Sequence, residues 1–190
     1  MTASRRDLIA KVFNNEKADR VPVGFWHHFL GDEVGADAFA HPELTDKVLA
    51  GADFYKAFQP DLIKIMTDGY FGYPIDELKK PVSSPLDLKD IKPLGRDSDW
   101  FRFQIGYARK LVSLYGKEVP LFYNLFAVPR TIEFMQASLG HPVDIASWIQ
   151  DYPEETAHVF DVISKDYAEL AKALIEEGGV DGIYLSVNNI

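Results

Sequence analysis

Pro60-Asp61-Leu62-Ile63-Lys64-Ile65-Met66-Thr67-Asp68-Gly69 decides how the chain folds. A short apolar run with two isoleucines, bounded by Pro before and Asp-Gly after, predicts a buried strand that carries Asp68 to its C-terminal tip. Ligands of barrels and open α/β sheets sit at the C-terminal ends of the strands, so Asp68 is the first candidate for catalysis. An acid behind Ile-Met-Thr is costly to desolvate unless a partner or ligand meets it. The competing role for an Asp-Gly pair is a cap on the following turn.

Three more strands are legible on either side. Val21-Pro22-Val23-Gly24-Phe25-Trp26 predicts strand one, with His27 and His28 at its end. Val-Pro-Leu-Phe-Tyr-Asn-Leu-Phe at 119–126 predicts strand three, and residues 180–187 predict strand four, with Ser186 and Asn188-Asn189 at its tip. Helical periodicity fills the gaps. Ser4 with Asp7 three residues on reads as a capping box for a short first helix that stops at Asn14-Asn15. From about residue 42 to 58, Leu44, Val48, Leu49, Ala52 and Tyr55 share a face. Over 99–115 the spaced residues are Trp100, Phe103, Tyr107, Leu111 and Leu114, with Gly116 as the stop. A helix over 130–139 follows Pro129. The longest opens at Asp151-Tyr152-Pro153-Glu154-Glu155, buries Val159, Ile163, Tyr167, Leu170 and Leu174, and ends at Gly178-Gly179. Between 69 and 98 a Gly- and aromatic-rich loop leads into a polar, proline-punctuated stretch, which predicts a long surface connection serving as a lid or substrate wall.

Strands joined by helical crossovers must pair in parallel, which sets the class as α/β. Four such units make about half of an eightfold (β/α)8 TIM-type barrel of ~250 residues. The expectation is that residues 1–190 are the N-terminal half of a barrel domain of a longer enzyme, inactive alone. Two open strand edges and an uncovered interior predict a homodimer or a swapped assembly.

With 190 residues, 47% apolar and 13% aromatic, the chain has the material for one folded core. Its 20 basic against 29 acidic residues, net −9, exclude nucleic acid or an anionic membrane as the main partner and leave a small-molecule substrate. No cysteine means no disulfide and no thiolate metal ligand, which fits a cytoplasmic setting. No stretch offers the ~18 apolar residues of a membrane span.

Further candidates surround the strand tips. His27 and His28 are adjacent on a strand and face opposite sides, so they do not share one metal, and one of them faces the mouth. Arg130 opens a helix, where a guanidinium and free N–H groups could hold a carboxylate or phosphate. Tyr70, with Phe71 and Tyr73, could line a flat ligand. Lys64 points inward or is paired structurally, the second ranking higher. No phosphate loop, serine-nucleophile elbow or His-Glu metal motif is present.

Several of these stretches together resemble one family. Ala18-Asp19-Arg20-Val21-Pro22-Val23, Asp61 through Asp68, Val128-Pro129-Arg130-Thr131 and Gly179-Val180-Asp181-Gly182-Ile183 occur in an order and spacing that resemble the N-terminal half of the uroporphyrinogen decarboxylase superfamily. The resemblance implies a (β/α)8 barrel and one of two activities. One is cofactor-free decarboxylation of uroporphyrinogen in porphyrin biosynthesis. The other is zinc-dependent methyl transfer from a methylated corrinoid protein to a thiol such as coenzyme M. It implies that Asp68 matches the decarboxylase aspartate that meets the pyrrole N–H groups. Where the decarboxylases carry Arg-Gln-Ala-Gly-Arg, this sequence reads His27-His28-Phe29-Leu30-Gly31, so both arginines that meet substrate carboxylates are missing. The tyrosine expected after Pro129 is absent too, with Met135 or Gln136 near its place. These departures favour a methyltransferase-like enzyme over a true decarboxylase, with an inert interaction module as a third reading. No cofactor is expected within this chain. The zinc of a methyltransferase, held by a His and two Cys, would belong to the second half of the barrel.

Overall fold

The computed structural model describes residues 4–30, 44, 47 and 53–187. Helix α1 (Arg5–Phe13) begins at the expected capping box: Ser4 accepts from the Asp7 amide and Asp7 returns the bond to the Ser4 amide. Then follow β1 (Gly24–Phe25), α2 (Asp53–Phe58) and β2 (Leu62–Ile65). Next come α3 (Asp99–Tyr115), β3 (Leu121–Phe126), α4 (Val128–Ser138), α5 (Ile145–Asp151), α6 (Pro153–Glu176) and β4 (Gly182–Ser186). All strand pairs are parallel, in the order β1-β2-β3-β4. Crossovers of one hand between strands laid down in sequence order put the crossover helices on a single face. Register places Phe25, Ile63, Leu121, Tyr123 and Ile183 on that face. The opposite face carries Leu62, Lys64, Phe122, Asn124, Tyr184 and Ser186. Near the N-terminal ends of the strands Phe13 of α1 packs its ring against Phe122, at 5.6 Å between centroids.

Two aspartates fasten that end of the sheet in the same way. Asp61, just before β2, accepts the Val23 amide at 2.9 Å and forms a two-pronged pair with Arg20. Asp181, just before β4, accepts the Leu121 amide at 2.9 Å and is gripped by both Arg6 Nη atoms. Each acid thus ties the start of its own strand to the preceding one and brings an arginine with it. The Arg20 guanidinium holds the Asp61 carboxyl below its ordinary value of 3.8, against the opposing effect of burial. A depressed folded-state value stabilises the fold above the unfolded value, and the contribution is lost as pH falls through the folded one. Asp61→Asn is therefore expected to melt below the parent at neutral pH. The gap should close as pH drops under 3.8; a gap constant across a melting series from pH 7 to pH 2.5 would refute this linkage.

Strand one is shorter than the six residues expected. Pro22 has no N–H to give a ladder, and the Val23 N–H is taken by the Asp61 side chain, so regular pairing starts only at Gly24. The crossover helix expected from residue 42 lies mostly outside the described residues, apart from Leu44, Lys47 and α2; so do Asn188 and Asn189. Along α3, Leu114 is 55% exposed rather than buried, and Tyr115 takes its place one helical turn beyond Leu111. Helix α5 is an element the periodicity did not reveal; Asp144 caps it by accepting from the Ala146 and Ser147 amides.

Residues 72–98 are not a loose flap. Ile75, Leu78, Val82, Leu88 and Ile91 are buried in the common core. Gln136 of α4, itself fully buried, accepts the Val82 amide at 2.8 Å and donates to the Leu78 and Lys80 carbonyls. Asp166 of α6 accepts from the Tyr73 hydroxyl and the Leu94 amide, both at 2.6 Å, and from the Gly95 amide at 3.3 Å. The connection expected as a lid or substrate wall is thus fastened to the helical layer by buried side chains from two helices.

Candidate functional site

Asp68 sits where the strand reading placed it, past the C-terminal end of β2, at the first position of a short 3₁₀ turn (Asp68–Phe71). Its backbone is left-handed, φ 34°, a conformation Asp tolerates better than most residues. The side chain is 3% exposed, and both oxygens are engaged by the segment that leaves β1. Oδ2 accepts the amides of Phe29 at 2.8 Å and Leu30 at 3.3 Å, and Oδ1 lies 2.9 Å from His28 Nδ1. One carboxyl group thereby fixes the path of the chain after β1 and the orientation of an imidazole. Asp68 also acts beyond its contacts: burial foremost, and then its charge, push the Tyr55 hydroxyl above the usual phenol range.

The His28 ring is 64% exposed. With Nδ1 turned to Asp68, Nε2 is the atom left to meet a ligand or a proton, and the carboxyl group selects the tautomer that makes Nε2 the acceptor. His27 goes elsewhere: its ring stacks on Phe54 with centroids 5.0 Å apart and meets Phe29 edge-on. The two histidines diverge, although both lie past the end of β1 in irregular chain rather than on the strand expected for them.

The other sequence candidates meet separate partners. Tyr70 is taken into the core at 1% exposure, stacked on Phe103 at 4.3 Å, while its carbonyl accepts from Gln104. As placed, it has no surface on which a flat ligand could lie, because the 3₁₀ turn folds it back beneath Asp68. Arg130, on the first turn of α4, pairs with Glu133 and lies over the Phe134 ring at 4.3 Å. Ser186 donates to Asn124 Oδ1 at 2.6 Å. Lys64 lies on the face away from the helices and is held there by structural partners: its Nζ sits between the rings of Trp26, at 4.7 Å, and Tyr184, at 4.1 Å, linking the exit of β1 to β4 across that face. Burial there lowers its pKa.

Asn124 is the residue of this region that sequence reading passed over. It is fully buried in β3 and pairs with Ser186. The signal was available, since it is the one polar side chain in Leu-Phe-Tyr-Asn-Leu-Phe, and an amide in such a run must find partners.

Two surface hollows, of about 370 and 470 Å³, open away from the strand tips. The first lies beside Arg5, Tyr55 and Tyr115, the second between Val82 and α5, so neither serves the His28–Asp68 pair. Among the described residues no group of three or more His, Cys, Asp or Glu is arranged to hold a metal ion. No helix among the described residues is long and apolar enough to cross a membrane. No family model matches the chain, nor does any curated protein or solved structure.

Proposed function

We propose that this chain supplies the first four β/α units of a (β/α)8 barrel of the uroporphyrinogen decarboxylase superfamily, and that the enzyme is a corrinoid-dependent methyltransferase rather than a tetrapyrrole decarboxylase. The barrel reading rests on strands laid down in sequence order with helices on one face, an arrangement that closes naturally when further units continue it. The choice between activities rests on the engagement of Asp68. A carboxyl group that receives pyrrole N–H groups must offer them its lone pairs, and here both oxygens already accept from Phe29, Leu30 and His28. A polyanionic tetrapyrrole would also need cations, and Arg130 is paired with Glu133.

What the pair offers instead is an oriented base. Asp68 fixes the His28 ring, and Nε2, outward at the strand tips, can take a proton from an incoming thiol. In the methyltransferase reading zinc supplies thiol activation. Its ligands would come from beyond these residues. The substrate is a small thiol and the partner a methylated corrinoid protein. The complete gene product, purified with its metal, should methylate 2-mercaptoethanesulfonate when given a methylated corrinoid protein and should release no CO₂ from uroporphyrinogen. CO₂ release without thiol methylation would overturn the choice of activity. Absence of both reactions would leave the interaction-module reading and overturn the enzyme assignment altogether.

A further inference from the structure

Four charged side chains are buried among the described residues: Asp61, Lys64, Asp68 and Asp166. Each acid is met by donors of its own. Arg20 and Val23 serve Asp61, His28 and two amides serve Asp68, and Tyr73, Leu94 and Gly95 serve Asp166. Lys64, 8% exposed, has neither a hydrogen bond nor an ion pair among the described residues. Its face of the sheet explains why. The residues that share it in register are Leu62, Phe122, Asn124, Tyr184 and Ser186, none of them acidic, and Ser186 is bonded to Asn124. Two ring faces meet the amine instead, Trp26 at 4.7 Å and Tyr184 at 4.1 Å. Both rings are about half exposed, so they wall the amine without sealing it. Nζ is accordingly not among the buried atoms that lack both a partner and solvent, which are Thr67 Oγ1, Trp100 Nε1 and Asn124 Nδ2.

A buried ammonium without a counter-ion gives up its proton more readily, in line with the lowered pKa, and the free amine is a nitrogen nucleophile. The walls select what it can take. Aromatic faces are electron-rich, so they favour a cation between them and disfavour an anion in the same gap. A carboxylate or phosphate would also need further donors, and the nearest amide on this face, Asn124 Nδ2, is closed off from solvent. A neutral carbonyl compound meets neither obstacle.

We propose that Lys64 captures carbonyl compounds, forming a reversible Schiff base with a small flat aldehyde in the gap between Trp26 and Tyr184. The nitrogen lone pair adds to the carbonyl carbon, and the proton that the nitrogen sheds goes to the carbonyl oxygen. With one more proton from solvent that oxygen leaves as water, and a protonated C=N bond remains. The step consumes no oxidant or reductant. The iminium restores between the rings the positive charge that the ammonium had there. The site stands independently of the enzymatic reading above. The chain, held at neutral pH with limiting pyridoxal, a flat aldehyde without a phosphate, and sodium cyanoborohydride, should become labelled by reduction of the C=N bond. Among its lysines, peptide mapping by mass spectrometry should find the pyridoxyl group first on Lys64, ahead of the exposed Lys110 and Lys172. Lys64→Arg keeps a cation between the rings and removes the nucleophile, so it should lose that first adduct while labelling at Lys110 and Lys172 continues. Labelling of Lys64 no faster than of the exposed lysines overturns the proposal. So does a Lys64 protected in the native chain and labelled only in urea, which would leave it a purely structural bridge. The order of labelling in the parent chain decides even if Lys64→Arg does not fold.

Discussion

Asp166→Ala should be among the most destabilising single substitutions in this chain, at roughly 3–5 kcal/mol, or about 10 °C in melting temperature. Asp166 is 4% exposed and accepts from the Tyr73 hydroxyl and the Leu94 and Gly95 amides, so it fastens α6 to the long connection over 72–98. Alanine leaves the buried Tyr73 hydroxyl and the half-buried Leu94 and Gly95 amides without their acceptor, and a buried donor without a partner costs far more than the net gain of the bond it lost. Burial, and then the bond to Asp166, push the Tyr73 phenol well above its ordinary range, so it remains a donor at any working pH. Tyr73→Phe removes one donor and leaves the acceptor with its amides; it should therefore cost only about 1 kcal/mol. The ratio between the two variants is the check. Equal losses in urea titration would mean that Asp166 matters only through Tyr73, and a loss under 1 kcal/mol for the alanine variant would mean that the latch is not holding the connection.

That latch shows where sequence reading stops. Periodicity exposed the elements with long apolar faces: Val159, Ile163, Tyr167, Leu170 and Leu174 of α6 are all buried, and strands β2, β3 and β4 lie inside the stretches that predicted them. It placed Asp68 at a strand tip because Asp-Gly after a β-branched run is a local signal. It missed the helix α5, whose seven residues are too few to display a period, and misread 72–98, whose order comes from Gln136 and Asp166 on distant helices. A lone Gln or Asp on a helix looks like solvated surface until the fold brings backbone amides to it. The same limit applies to the site. That Asp68 would meet something was legible, but that it would meet the chain's own amides and His28 was not, because those contacts span about 40 positions. Tyr70 looked like an aromatic wall for the same reason: a 3₁₀ turn that folds a ring inward leaves no periodic trace.

Under the proposed enzymatic reading, His28→Ala should abolish most turnover of the complete gene product at a modest cost in stability, and Asp68→Ala should reduce both, with the larger loss of stability. The contrast follows from where each side chain makes its bonds. The His28 ring is itself exposed, but it is the partner of Asp68 Oδ1 on a side chain that is 3% exposed, so its removal should cost about 1–2 kcal/mol, whereas loss of an oriented base lowers turnover about 10²–10⁴-fold. Asp68 is both the orienting group and a structural acceptor. Alanine there strips the Phe29 and Leu30 amides of their partner and places a residue less tolerant of φ 34° in the turn, for a loss of roughly 2–4 kcal/mol. Asp68→Asn can still accept through its remaining oxygen, so it should recover part of the stability. His28 therefore separates function from structure better than Asp68 does, because its removal leaves the Phe29 and Leu30 amides their acceptor. Turnover that survives His28→Ala would remove the imidazole from the chemistry and leave Asp68 as the staple that holds the β1 exit against the β2 turn.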